Sequence, residues 1–292
     1  MRARLAAGAL GLALACGVAL AQDDPPRAAP LAADPLAPPA PAEEALRGET
    51  GRLLARLVRE KTLPAAEEAL LQVEVDERGR LFGQTRVVEV SVRRHERGED
   101  LRLRFREPAE LRGRAWLLLA DGRAYAYDPA RRRAERVPPL EPGWRVGGGG
   151  LLLRDLRAPA WGLGDDPWTH VHLRDERLLP PGDAQAAPGA ADDEAPGRAV
   201  HVVRSTPPGG GGAREAWIDR ERHVPWVVFE RDAQDRVARE VRASDWRPLQ
   251  GRLRPFALEV AEPGAERVTR VVVRARSASA PALRFDPARF RE

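Results

Sequence analysis

Residues 81–119, LFGQTRVVEVSVRRHERGEDLRLRFREPAELRGRAWLLL, constrain the fold more than any other part of the chain. They read as three successive β-strands in which apolar and charged residues alternate. In the middle strand Leu101, Leu103 and Phe105 interleave with Arg102, Arg104 and Arg106. Successive strand side chains point to opposite faces, so this segment predicts a sheet with one oily and one cationic face. An oily face must be covered by a second layer, a lid or a ligand. The arginine face is expected to be the solvated outer wall.

The chain opens with the pattern of an export signal. Arg2 and Arg4 are followed by an apolar run over 6–20, and Ala19-Leu20-Ala21 supplies an A-x-A cleavage site. Cleavage is expected after Ala21, with the mature chain in the periplasm. The alternative is a chain lipid-anchored through Cys16, to which Ala13-Leu14-Ala15 is a poor match. Cys16 is the only cysteine, so the cleaved chain carries neither a disulfide nor a cysteine metal site. Arginine and lysine total 48 against 44 acidic residues, a net charge of +4. That balance argues against a nucleic-acid binder, which concentrates positive charge.

Residues 22–42 form a Pro/Ala/Asp linker without periodicity. Residues 43–61 are the best helix, with Leu46, Leu53, Leu54, Leu57 and Val58 near one face. A second short helix is expected over 64–70. The rest reads as strands, at 70–76, 81–94, 100–106, 114–120, 124–128 and 133–137. After a break they resume at 168–175, 198–205, 214–219, 224–232, 236–245, 252–261 and 267–276. Turn signals such as Asp121-Gly122 and Pro263-Gly264 separate them. This spacing predicts an antiparallel meander closing toward a barrel or half-barrel. The stretch near 180–196 reads as an exposed loop insertion. The domain reading is therefore a signal at 1–21, a linker at 22–42 and a single domain over 43–292.

Catalytic signatures are sparse. The glycine runs at 147–150 and 209–212 lack the Lys-Ser/Thr of a phosphate loop and read as flexible turns. Neither G-x-S-x-G nor H-E-x-x-H occurs. His170 and His172 would share a strand face, but a metal site needs three or four convergent ligands. Asp165-Asp166 and Asp192-Asp193-Glu194 read as solvated loop charges. No catalytic residue, metal or cofactor is expected. The seven tryptophans read mostly as core and rim packing, with some placed to line an apolar cavity.

An ordered set of landmarks carries a resemblance. Gly83 leads to Arg86-Val87-Val88. Residues 105–113 read FREPAELRG and precede Ala115-Trp116-Leu117. Tyr125-Ala126-Tyr127-Asp128-Pro129-Ala130 leads into a basic strand. Trp217-Ile218-Asp219 and Trp246-Arg247-Pro248 follow, and the chain closes on Phe285-Asp286-Pro287 and Phe290. From about residue 46 onward the sequence resembles the outer-membrane lipoprotein-sorting proteins, larger relatives of the periplasmic lipoprotein carrier LolA. It departs where the family carries Gly-Ser-Asp-Phe. Gly148-Gly149-Gly150-Leu151 stands there, with Asp155-Leu156 retained.

The resemblance implies a mainly β (α+β) fold, a strongly curved antiparallel half-barrel wrapped around an N-terminal helix and a lid, LolA/LolB-like. Its concave face would hold acyl chains of lipoproteins or lipids. Alternation places Val88, Val90, Val92, Leu101, Leu103, Phe105, Trp116 and Leu118 as cavity candidates. Leu53, Leu57, Leu151 and Leu152 are the lid candidates. A transporter of the resistance–nodulation–division type is an implied partner, and no nucleic acid is. The rival reading is an envelope scaffold or regulatory module whose concave face binds a protein segment or its own helix. A weaker third reading is a hydrolase acting on envelope lipid or glycan.

Overall fold

In the computed structural model, the described residues are 41–77, 83–96, 98–157, 163, 168–176, 198–206 and 212–290. The export signal, most of the linker, Trp161, Asp165-Asp166, Asp192-Asp193-Glu194 and the insertion near 180–196 lie outside them. Helix α1 (Pro41–Thr62) is followed by six strands: β1 (Ala66–Glu77), β2 (Gln84–His95), β3 (Gly98–Glu107), β4 (Ala115–Leu118), β5 (Ala124–Asp128) and β6 (Arg133–Val137). A 3₁₀ turn (Val146–Gly148) and the short helix α2 (Leu153–Arg157) come next. Seven more strands complete the chain: β7 (Thr169–Glu176), β8 (Arg198–Ser205), β9 (Arg214–Asp219), β10 (Pro225–Arg231), β11 (Val237–Leu249), β12 (Arg252–Glu262) and β13 (Arg267–Ser277).

All thirteen strands belong to one sheet in the order β6-β5-β4-β3-β2-β1-β13-β12-β11-β10-β9-β8-β7. Every pairing is antiparallel. The chain meanders from β1 out to one edge, crosses to the opposite edge at β7, and meanders back until β13 pairs with β1. The sheet is curved and open. Register shifts at Leu70/Leu71, Val87/Val88, Pro225/Val227 and Glu230/Arg231 supply local bends.

The expected strands all form. The short helix expected over 64–70 does not, because β1 begins at Ala66 and pairs Glu67 with Val92 and Ala69 with Val90. Ala and Glu are good helix formers, but propensity is a weak prior and pairing with strands on both sides overrides it.

The concave side holds the main core. Inward residues of β1, β2, β3, β12 and β13 meet Leu54 and Val58 of α1 there. Helix α1 lies against β7 and β12. Gly51 makes the close approach, since a Cβ on it would sit 2.2 Å from the Trp168 carbonyl oxygen. The apolar stripe of α1 is therefore narrower than the sequence implied. Leu54 and Val58 are buried, Leu57 is half-buried, and Leu46 and Leu53 are exposed.

A second, smaller core sits on the convex side. Phe285 and Phe290, in two C-terminal 3₁₀ turns, pack against Ala115, Leu117 and Leu119. This segment corrects the expectation of a solvated arginine wall. Arg106 is exposed and Arg104 half-exposed, but Arg102 is buried. Arg102, Glu89, Arg284 and Phe290 line one groove of about 290 Å³.

Candidate functional site: a lidded concave face

The eight cavity candidates come together on one wall. β2 and β3 pair Val88 with Phe105, Val90 with Leu103 and Val92 with Leu101. β3 and β4 pair Leu101 with Leu118 and Leu103 with Trp116. Seven of the eight are buried in the main core, and Trp116 packs on its rim. Phe105 meets Trp116 edge-to-face at 5.7 Å.

The covering layer follows from topology. Because β6 and β7 are opposite edges of the sheet, the chain between them has to cross it. Within the described part of that crossing, residues 144–157 run over the concave face. Val146, Leu151, Leu153 and Leu156 enter the same core as Val88 and Leu103. Trp144 stands 5.5 Å from Trp116. Of the lid candidates, Leu151 and Leu152 are buried in this crossing segment. Leu53 is exposed and faces away, and Leu57 is only half-buried. The helix contribution comes instead from Leu54 and Val58, one position further round the helix from each.

The glycine run is a packed contact rather than the flexible turn expected. A Cβ on Gly149 would lie 2.8 Å from Val75 Cγ2, and one on Gly150 would lie 3.1 Å from Val260 Cγ1. Gly147 and Gly148 have positive φ, which glycine adopts without strain. The missing side chains let the lid backbone lie directly on β1, β12 and β13.

Polar contacts fasten the lid. The Gly150 N–H donates to Thr269 Oγ1 at 2.7 Å. Arg145 donates to both oxygens of Glu262, at 2.6 and 2.8 Å, and to the Gly149 carbonyl at 2.9 Å. Arg239, on β11, is buried and donates to Asp155 on α2, to the Gly150 carbonyl and to Glu230. Asp155 also accepts the Leu152 N–H at 2.7 Å. Burial pushes the Asp155 carboxyl above the usual range against the pull of Arg239, and Glu230 pushes it the same way. Burial alone would raise Glu262, but hydrogen bonds from Arg145 and Arg267 hold it below its ordinary 4.5.

Beneath the lid is a cavity of about 20 Å³ lined by Leu71, Val90, Val92, Leu156, Leu258 and Val273, with Glu67, Asp155, Arg254 and Arg276 among its walls. That volume is room for about one water molecule. Ligand pockets are typically of order 300–1,000 Å³. The crossing segment thus fills the concave face and leaves beneath it no space of that size.

One end of this cavity is ionic. Glu67 accepts from Arg254 at 2.6 and 3.0 Å and from Arg94 at 3.3 Å. Arg254 also donates to the Thr62 carbonyl, and Arg94 to the Pro64 carbonyl, tying down the end of α1. Arg276 comes third. The shift between Leu70 and Leu71 lets both Val273 and Arg276 face inward. Its Nη1 donates to the Pro255 carbonyl at 2.6 Å. Burial would raise Glu67, but Arg254, Arg276 and Arg94 hold it low. Burial and the charge of Arg254 push the Arg276 guanidinium down to about 9.

The β7–β8 register shifts between His170 and His172. Among the described residues no cluster of His, Cys, Asp or Glu could hold a metal ion, and no helix is long and apolar enough to cross a membrane.

An open, curved antiparallel sheet of this kind is a known class of architecture. Its solved examples include a domain from Vibrio parahaemolyticus assigned to the outer-membrane lipoprotein-sorting proteins. That domain is 14% identical, with a TM-score of 0.66 over 84% of this chain and all of that one. A DUF1329 family protein from Desulfovibrio piger gives 0.66 at 13% identity, over 83% of this chain and 98% of that one. A LolA superfamily protein from Nitrosomonas europaea gives 0.60 at 14% identity, over 82% and 98%. No protein-family model and no curated protein sequence matches the chain. The fold is LolA-like.

Proposed function

We propose that this protein is a periplasmic carrier that binds acyl chains of lipoproteins or lipids between its concave sheet and its lid. The observation that carries the reading is the lid itself. Its apolar residues occupy the concave face, while its polar fastening is local: three ion pairs, from Arg145 to Glu262, Arg154 to Glu230 and Asp155 to Arg239, one amide–hydroxyl bond and a glycine backbone contact. An acyl chain could replace Val146, Leu151 and Leu153 against Val88, Val90 and Leu103. Each methylene removed from water would contribute about 0.8 kcal/mol. Such burial has no release trigger of its own, so unloading would fall to re-closure of the lid when an acceptor presents another apolar site. The export signal and the LolA-like fold support a periplasmic setting for this activity, with outer-membrane lipoprotein sorting or lipid transport as the process it would serve. An exporter of the resistance–nodulation–division type is the proposed donor.

The filled cavity favours one rival: a scaffold whose concave face is permanently closed by its own lid. Organic extraction of the purified protein followed by mass spectrometry separates the two. Copurified acyl lipid, or saturable uptake of a fluorescent fatty acid, supports the carrier. Neither lipid nor uptake supports the scaffold.

A further inference from the structure

The buried charges beneath the lid do not balance, and their arrangement is more specific than an apolar cavity needs. Among the described residues, Arg94, Arg254 and Arg276 converge on one end against the carboxylates of Glu67 and, through Arg94, Glu99, and Arg276 also lies 5.4 Å over the Phe256 ring. Glu67 is engaged by Arg254 and Arg94. Arg276 reaches it only at 3.7 Å from Nε. The Arg276 side chain is 4% exposed, and its Nε has no hydrogen-bond partner. A buried guanidinium N–H left without an acceptor is costly. The same side chain lines the cavity, with Leu71, Val90, Val92, Leu258 and Val273 forming the apolar wall beside it.

The lid brings one further carboxylate to this cavity. Asp155 lines the same cavity and is held by Arg239. When the lid lifts, α2 carries this carboxylate away, so the opened site is more positive than the closed one. Helix α1, by contrast, is held by Arg254 through the Thr62 carbonyl and is tied to the floor. The opened site thus has an apolar wall and one cationic end with an unused donor.

We propose that the site selects single-chain amphiphiles with an anionic head, a carboxylate or a phosphate monoester. The chain would lie along Leu71, Val90, Val92, Leu258 and Val273, and the head would accept from Arg276 Nε. This rests on the carrier reading above and adds the chemistry of the head group. An anion completes the bonding of Arg276 and offsets the surplus charge, whereas a neutral head does neither.

The test is competition against a bound neutral fluorescent fatty alcohol, using purified, delipidated full-chain protein. Dodecanoate, dodecyl phosphate and dodecanol are the competitors. Both anions, or one of them, should bind about tenfold or more tighter than dodecanol. Preference for dodecanoate would indicate free fatty acids, and preference for dodecyl phosphate would indicate lysophospholipid-like ligands. R276Q should bring the anions to the level of dodecanol and leave dodecanol unchanged, while R276K should keep part of the preference. Equal binding of all three competitors by the wild type overturns the head-group assignment and leaves the carrier reading standing. An anion preference that survives intact in R276Q overturns the role of Arg276. Failure to bind the probe or any competitor sinks both readings. If R276Q does not fold, the wild-type comparison and R276K decide.

Discussion

Removing the Asp155 carboxylate should open the lid without unfolding the half-barrel. In D155A, Arg239 stays buried on β11 with Glu230 and the Gly150 carbonyl as its remaining partners, and the Leu152 N–H loses its acceptor. Breaking a buried ion pair by deleting one member destabilises by about 3–5 kcal/mol. The sheet ladder is untouched, so that loss falls on the closed lid. At about 1.4 kcal/mol per factor of ten, the open population should rise by at least about a hundredfold. Amide hydrogen exchange reads this directly. The Val146 N–H bonds Leu151, the Leu153 N–H bonds Trp144, and the Gly150 N–H bonds Thr269. Of these, the Gly150 amide, which bonds the sheet and not the lid itself, should exchange much faster in D155A, while the amides of β2 and β3 keep their wild-type rates. Unchanged rates at the lid would refute the latch. So would a parallel rise in β2 and β3, which would mean that the lid is part of one cooperative core.

Other perturbations probe separate links. G149A places a Cβ 2.8 Å from Val75 and 3.1 Å from Thr269, so overpacking should lower stability by about 1–3 kcal/mol in chemical denaturation. L103A removes a fully buried side chain from the concave wall and should cost about 2–5 kcal/mol by the same assay. F290A should cost about 3–5 kcal/mol and expose Leu117 and Tyr127, read as faster proteolysis of the C-terminal segment. Glu262 is held below its ordinary 4.5 when folded, so its stabilisation is present above that value and is lost as pH falls through the lower folded one. The difference in melting temperature between wild type and E262Q should therefore be widest at neutral pH and shrink below about pH 4.5.

Much of the fold was legible because the strands alternate cleanly. Leu101, Leu103 and Phe105 fixed the inward phase of β3, and the register carried Val88, Val90 and Val92 onto the same wall. The ionic end is legible too. Glu67 precedes Ala69, Leu71, Val73 and Val75 in the inward phase of β1, and Arg254 and Glu262 bracket Leu258 and Val260 in that of β12. A charge in the apolar phase of a strand signals a buried, paired charge. Arg276 was hidden by the register shift that restores its inward direction. Three features needed contacts distant in sequence. The stripe of α1 spans several leucines, and only the approach of Gly51 to Trp168 decides that Leu54 rather than Leu53 faces in. Arg102 is buried by Phe290 and its neighbours, nearly two hundred residues away. The glycine run gains its meaning only from Val75, Val260 and Thr269 beneath it.

Covalent mapping with a photoactivatable fatty acid tests the central claim most directly. Irradiation of the loaded protein, followed by peptide mass spectrometry, should place label on β1, β2 and β3 around Leu71, Val90 and Leu103, and an excess of unlabelled fatty acid should suppress it. D155A should label more strongly at the same residues. Labelling confined to the convex groove at Phe290, or none that fatty acid can suppress, would contradict an acyl chain beneath the lid.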